Sequence, residues 1–153
     1  NIFNGDPVKL VATGTIEIAA GAVTNAIGVF KGCSYIDSTG KQVFSNFWPT
    51  GTVATDIKAH VHDDPNIIFS IQSDATGVAD VDIGAMADWE IVAGDLKVGV
   101  SKTNLDASLA IGATKAGLRV RKIVEIEDNE AGPYAEVEVM FAEHAFNTVG
   151  VGI

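Results

Sequence analysis

The feature of this sequence that most restricts its fold is a series of short segments in which apolar and polar residues alternate. The clearest are residues 57–62, 67–72 and 134–141, each bounded by turn-forming residues. A period of two gives a β-strand one apolar and one polar face. Amphipathic helical patterns of ordinary length are missing from the sequence. It therefore predicts an all-β fold: one β-barrel or β-sandwich-like domain over residues 1–153, with long loops, little helix and a β-tulip-like form among the possibilities.

The two neighbouring segments 57–62 and 67–72 form the strongest hairpin pattern. Ile57, Ala59 and Val61 share one face of the first segment, and Ile67, Phe69 and Ile71 share one face of the second. The turn-forming residues 63–66, Asp-Asp-Pro-Asn, separate them. We expect the two segments to pair directly, with Ile67, Phe69 and Ile71 turned inward.

Other segments complete a prediction of eight or nine strands. Residues 8–12 and 15–19 suggest a hairpin, and residues 27–36 and 42–48 a second pair. Gly28 and Gly32 indicate bulges or close backbone contact. In the strand predicted over 117–126, Lys122 falls on the apolar face and marks a bulge or an open end.

Residues 73–115 carry a weaker pattern, rich in Ala, Gly, Asp and Ser. We expect long surface loops here. Residues 79–83 fit a short strand or a loop, 85–88 one helical turn, 89–93 a strand and 104–106 a turn.

The charge restricts the partners. Twenty acidic residues against ten basic ones give a formal charge of −10. Nucleic acid and anionic membrane surfaces are disfavoured, since both need basic footprints, whereas a partner with basic patches is attracted. No apolar run reaches about 18 residues, and no signal peptide is visible. Cys33 is the only cysteine, so an intrachain disulfide is impossible.

One motif could hold a metal ion. His60 and His62 share a strand face, and Asp63 and Asp64 follow directly, so imidazole and carboxylate ligands stand close together. The alternative is that both imidazoles face solvent and the carboxylates belong to a turn. The further ligands of metal hydrolases at fixed spacings are missing, and we favour the alternative.

Nucleophilic and acid–base chemistry have weaker candidates. His144 and Cys33 belong to no nucleophile motif, and no Gly-x-Ser-x-Gly elbow occurs. The carboxylate pairs, Glu136 with Glu138 and Glu125 with Glu127, fit a solvated acidic face. Residues 94–99 have the glycine spacing of a phosphate loop without its Lys-Ser/Thr ending. We therefore expect no catalytic residue, no metal, no cofactor and no enzyme activity.

Large apolar residues are the remaining candidates for function. Phe44, Phe47 and Trp48 crowd a strand end before Pro49, where aromatic side chains fill a core or anchor an interface. The interface candidates are Ile2, Phe3, Phe44, Phe47, Trp48 and Trp89. Alternatively, exposed Trp48, Trp89 and Tyr35 would form a carbohydrate-binding platform.

A succession of short motifs follows in order along nearly the whole chain. They are 4–8 (Asn-Gly-Asp-Pro-Val), 26–32, 35–45, 47–49, 63–66, 138–139 and 143–144. In this order they resemble a family of structural proteins of tailed bacteriophages, head decoration or minor capsid proteins found with the major capsid protein. The early Gly-Asp-x-Val and Ile-Gly-Val segments are also similar to small β-barrel decoration proteins of the lambda head-stabilising type.

The resemblance implies a protein of the outer virion surface, made in the host cytoplasm, that cements the capsid shell. Its partners would be the major capsid protein and further copies of itself, with a trimer as one arrangement. The resemblance brings no catalytic residues, and it leads us to expect a natural N-terminal stretch ahead of Asn1. A carbohydrate-binding module and a metal-dependent enzyme built on His60, His62 and Asp64 remain the alternatives.

Overall fold

The predicted all-β character is confirmed in a computed structural model, which describes residues 1–21, 25–107 and 117–147. The only helical segment in these ranges is a 3-10 turn at Asp80–Asp82. The strands in the same ranges are β1 (Ile2–Phe3), β2 (Pro7–Leu10), β3 (Ile16–Ile18), β4 (Ala26–Asp37), β5 (Gln42–Ser45), β6 (Phe47–Trp48), β7 (Ala54–His62), β8 (Phe69–Gln72), β9 (Met86–Glu90), β10 (Asn104–Asp106), β11 (Leu118–Ile123) and β12 (Glu136–Phe141).

The first large sheet is organised around β4, a strand of 12 residues. Strand β7 pairs along one edge of β4, while β2 and then β5 pair along the other. Strand β3 continues the sheet beyond β2, and the predicted hairpin of these two strands is confirmed. A separate two-stranded ribbon, β1 with β6, lies antiparallel with Ile2 opposite Trp48.

Two glycines allow β4 to carry strands on both edges. Gly28 and Gly32 have φ angles of +143° and +146°, and register shifts occur beside them. A Cβ atom at Gly28 would lie 1.9 Å from the carbonyl oxygen of His62. The predicted close backbone contact is therefore confirmed, because no other residue type fits there without movement of β7.

The second large sheet has the strand order β10-β9-β11-β12-β8, and all its pairings are antiparallel. Strand β12 follows the predicted alternation, with Val137, Val139 and Phe141 buried. Strand β11 ends at Ile123, three residues earlier than predicted. The register between β11 and β12 shifts between Val120 and Lys122, so the predicted bulge at Lys122 is confirmed.

The main core contains residues from both sheets. Trp89 lies in it at 2% exposure, packed edge-on against Phe141 at 5.8 Å between ring centroids. Its indole N–H donates to the carbonyl oxygen of Ala19, 2.8 Å away. A smaller buried cluster lies on the first sheet alone and contains Val8, Ile27, Phe30, Cys33 and Tyr35.

The predicted hairpin of residues 57–62 and 67–72 is wrong. Strand β7 pairs with β4, whereas β8 pairs with β12, so the two neighbouring strands belong to different sheets. The physical reason is that each finds a better partner elsewhere. The long edge of β4 pairs with β7 from Ala54 to His62, and β8 packs Phe69 edge-on against Phe141 at 5.6 Å.

Three predictions for the middle of the chain also need correction. Residues 85–88 form no helical turn, because 86–90 are strand β9. Residues 104–106 form strand β10 instead of a turn, and they pair with β9. Residues 79–83 contain the 3-10 turn, in which the Asp82 carboxylate accepts the N–H of Ala79. In the described ranges, no helix combines the length and the apolar character that a bilayer-spanning segment requires.

Candidate binding groove

The concave face of the first sheet borders an open apolar groove of about 650 Å³. Its floor is β4, where Ile27, Phe30 and Cys33 are buried. One side is β7 and the other is the β2–β3 hairpin. We call this feature the apolar groove, and its lining residues are Ile2, Leu10, Gly14, Thr15, Ile16, Ile27, Phe30, Cys33, Trp48, Ile57, Ala59, Val61, Asp63 and Phe146.

On the β7 side of the apolar groove, a strand with an alternating apolar pattern has an exposed apolar face. Ile57, Ala59 and Val61 share one face as predicted, and all three line the groove. Ile57 nevertheless remains 52% exposed, and Ala59 is also exposed. The described residues therefore leave the apolar face of β7 uncovered.

The β1–β6 ribbon supplies one end of the apolar groove. Ile2 and Trp48 are cross-strand partners there, and both are half-buried. The Trp48 ring packs edge-on against Tyr35 at 5.3 Å between centroids, with the two planes 87° apart. This contact fixes the indole beside the groove, so that a partner would meet a preformed aromatic wall.

The rim near the start of β4 is formed by the segment that follows β12. The amide of Ala145 donates to the carbonyl oxygen of Ala26 at 3.0 Å, and the His144 Nε2 atom lies 2.9 Å from the Ile27 oxygen. His144 is buried by these contacts. Phe146 lies two residues further on, lines the apolar groove and is 58% exposed.

Cys33 forms part of the groove floor and is almost fully buried. Its Sγ atom lies 3.6 Å from the carbonyl oxygen of Phe47. Burial raises the pKa of the Cys33 thiol, because the thiolate would lose solvation. With its side chain buried in this way, Cys33 packs as a small apolar residue of the groove floor.

Charged groups are scarce in the lining of the apolar groove. Asp63 is the only ionisable carboxylate among the lining residues. On the opposite face of β7, Lys58 pairs with Asp56 at 3.3 Å, and both side chains are exposed. A site with an apolar interior and a charged rim is suited to another macromolecule's apolar segment.

Five of the six interface candidates fall into three groups. Ile2 and Trp48 line the apolar groove, whereas Phe47 stacks on Phe3 at 5.5 Å between centroids. Phe3 is buried by that stack at 5% exposure, which removes it from any free surface. Phe44, at 78%, is fully accessible but lies outside the groove lining.

Trp89, for which the sequence left a core and an interface position open, lies in the core. Strands β9 and β10, the Phe141 ring and the Ala19 carbonyl enclose it, although the sequence around it is polar. Tyr35 is buried as well. The three-ring carbohydrate platform of Trp48, Trp89 and Tyr35 therefore does not form, because only Trp48 retains an accessible face.

The candidate chemical motifs adopt the structures of their alternatives. His60 and His62 are exposed on β7, and Asp64 accepts the backbone N–H of Asn66 in a turn. Among the described residues, no three His, Cys, Asp or Glu side chains group as metal ligands would. Residues 94–99 form a tight turn in which the N–H of Gly99 donates to the Asp95 oxygen, with no helix following.

Comparisons with protein-family models, with curated proteins and with solved structures find no match for this chain. The case for the apolar groove therefore rests on its geometry alone.

The sequence indicated two residues of the apolar groove as interface candidates, Ile2 and Trp48. It did not indicate Leu10, Ile16 and Phe146. The signal available in the sequence was the apolar face of residues 57–61. The next strand, β8, belongs to the other sheet and does not pair with β7.

Proposed function

We propose that this protein acts by adhesion to other protein subunits, as a decoration or cement protein on the head of a tailed bacteriophage. Its partner would be the major capsid protein, bound at the outer surface of the virion. The observation that carries the proposal is the apolar groove, an exposed concave surface bordered by Trp48, Ile57 and Phe146. Contiguous apolar surface of this kind is characteristic of protein interfaces.

The electrostatics of the chain support a protein partner with basic patches. A formal charge of −10 repels a packaged genome and attracts cationic surfaces on capsid subunits. Binding to assembled subunits but not to free ones would stabilise the shell by mass action, without any chemical step. The order of the short sequence motifs also supports the proposal, because it resembles the order found in head decoration proteins.

The first test is the protein content of purified phage particles. Mass spectrometry of particles from the phage that encodes the chain should find it in stoichiometric amounts with the major capsid protein. Its absence from the particles would reject the proposal.

The second test locates the adhesive surface. Heads lacking the protein are incubated with the purified chain and sedimented, and the bound fraction is measured. Ile57→Asp should weaken binding at least about tenfold, since it places a charge in the apolar groove. Ile83→Asp is the matched control, because Ile83 is exposed to a similar degree, 48% against 52% for Ile57, but lies outside the groove lining. Equal binding by both variants would exclude the apolar groove as the contact surface.

A further inference from the structure

Strand β7 has one edge that is unpaired throughout the described part of the chain. Within those ranges, β7 pairs only with β4, and no other backbone hydrogen bond reaches Ala54–His62. Residues 55–60 are all exposed, and Ile57 is 52% exposed. A long accessible edge of N–H and C=O groups is a template for a further strand.

The direction of the backbone groups at this edge follows from those of β4. The Phe30 N–H donates to the Asp6 oxygen, and the Phe30 oxygen accepts the N–H of Gly5, so both groups point away from β7. Val61 is the residue opposite Phe30. Opposite residues of an antiparallel pair direct their backbone groups either toward each other or both away. Val61 therefore directs its groups to the open edge, and strand alternation gives Ala59 the same direction.

The regular part of β7 runs from Ile57 to Val61. The side chains of Ile57, Ala59 and Val61 all line the apolar groove, so the two-residue alternation is unbroken between them. The irregular part of the strand precedes them, where Asp56 has a φ angle of +49° and the register with β4 shifts. Residues 57–61 therefore present the backbone groups of Ile57, Ala59 and Val61 to a further strand.

This edge is complementary to a second copy of itself. In an antiparallel arrangement with a two-fold axis at Ala59, Ile57 of one copy stands opposite Val61 of the other, and Ala59 stands opposite its own counterpart. All of these residues direct their backbone groups outward, so the three pairs can form about six backbone hydrogen bonds. Their side chains lie on the groove face of both copies, where apolar surface then meets apolar surface.

The charge of β7 favours a second copy over a basic partner. The chain as a whole carries −10, which repels another copy. Strand β7 instead contains one acidic and one basic residue, Asp56 and Lys58, which pair with each other at 3.3 Å. Its formal charge is therefore zero when the imidazoles are neutral. Two copies can meet at β7 without net repulsion, and the strand has no excess of carboxylates that would attract a basic patch.

We propose that two copies of this chain associate through β7, in antiparallel edge-to-edge pairing about a two-fold axis at Ala59. The first large sheets of both copies then form one continuous sheet, and both apolar grooves lie on the same face of it. The inference goes beyond the proposed function, because adhesion to capsid subunits does not require this contact between copies.

Sedimentation equilibrium of the purified chain tests the inference. The unmodified protein should have twice the monomer mass at high concentration and should dissociate on dilution. Ala59→Pro should raise the dimer dissociation constant at least about tenfold, because it removes an outward N–H at the centre of the interface and leaves the pairing with β4 intact. Ala59→Ser is the matched control, since it retains that N–H, and it should dimerise like the unmodified chain.

Three results of the sedimentation experiment would overturn the proposal. They are an unmodified chain that stays monomeric up to about 1 mM, a trimer in place of a dimer, and equal dimerisation by the Ala59→Pro and Ala59→Ser variants. Far-UV circular dichroism verifies that both variants keep the β-sheet spectrum of the unmodified chain.

Cross-linking gives a second measurement that does not depend on the proline variant. Ala59→Cys places two thiols side by side across the two-fold axis, whereas Ile57→Cys places them at opposite ends of the pairing, roughly 14 Å apart. A short bismaleimide should therefore cross-link Ala59→Cys at least about tenfold faster than Ile57→Cys. The unmodified chain gives the background, because its Cys33 is buried. Equal rates for the two variants, or a faster rate for Ile57→Cys, would contradict the proposed axis.

These outcomes are separate from the test of capsid adhesion. The sedimentation and cross-linking experiments contain only the purified chain, so a monomeric chain would reject the β7 contact while the protein remains a decoration protein. Conversely, absence of the chain from phage particles would leave the dimer intact.

Discussion

At the scale of the residue, the sharpest requirements fall where two backbones nearly touch. Gly28 lies against the His62 carbonyl, so this position has no room for a side chain. This requirement could be predicted from the occurrence of a glycine inside an apolar strand. The bulge at Lys122 could be predicted too, from a charge on an apolar face. The burial of Trp89 could not be predicted, because it depends on Phe141 and Ala19, which are far away in the sequence.

The first prediction concerns Gly28. Gly28→Ala should lower the free energy of unfolding by about 3 kcal/mol, because the added Cβ overlaps the His62 oxygen and the φ angle of +143° is strained for alanine. Gly40→Ala is the control: its φ is +83°, but open space surrounds the new methyl group, so about 1 kcal/mol is expected. Urea unfolding of both variants measures the difference, and equal losses would contradict the steric explanation.

At the scale of the element, alternation identified strand faces correctly but not what covers them. Strands β7 and β8 show this clearly, since both have the predicted apolar faces yet belong to different sheets. The sequence indicated that the segments 57–62 and 67–72 pair with each other, because only the predicted turn at residues 63–66 separates them. Partner choice was decided instead by the unpaired edge of β4 and by the Phe69–Phe141 contact, neither of which is local.

The connection between β11 and β12 leads to the second prediction. The Asn129 side chain donates to the carbonyl oxygens of Val124 and Glu136 at 2.7 and 2.9 Å, and it accepts the Glu136 N–H at 2.8 Å. Asn129→Ala removes all three hydrogen bonds and should cost about 2 kcal/mol of stability. Asn66→Ala, in an exposed turn, should change stability by less than about 0.5 kcal/mol.

Thermal unfolding monitored by circular dichroism compares the two variants. An Asn129→Ala protein as stable as the Asn66→Ala protein would show that water replaces the lost hydrogen bonds without cost.

At the scale of the whole molecule, acidic side chains far outnumber the ion pairs that they form among the described residues. The formal charge is −10, and the described residues contain three ion pairs, Lys9–Glu17, Lys58–Asp56 and Lys122–Glu138. Both the all-β character and the charge excess could be read from composition and alternation. The apolar groove could not, because it depends on the curvature of the first sheet.

The third prediction follows from this unbalanced charge. Raising NaCl from about 10 to 200 mM should raise the melting temperature by roughly 2–4 °C, because salt screens repulsion among carboxylates. Neutralising the acidic loop with Glu127→Gln, Asp128→Asn and Glu130→Gln should reduce that increase. A melting temperature that is independent of salt in the unmodified protein would show that the carboxylates are too far apart to interact.

The division of β7 and β8 between two sheets also has a consequence for biosynthesis. Among the described residues, 1–62 contain every strand of the first sheet, and 69–141 contain every strand of the second. A ribosome releases the N-terminal part first. The nascent chain therefore contains all described strands of the first sheet before those of the second are synthesised, and contacts such as Trp89 with Ala19 have to wait for the second part. Among the described residues, no strand of the second sheet has to be inserted into the hydrogen-bond ladder of the first.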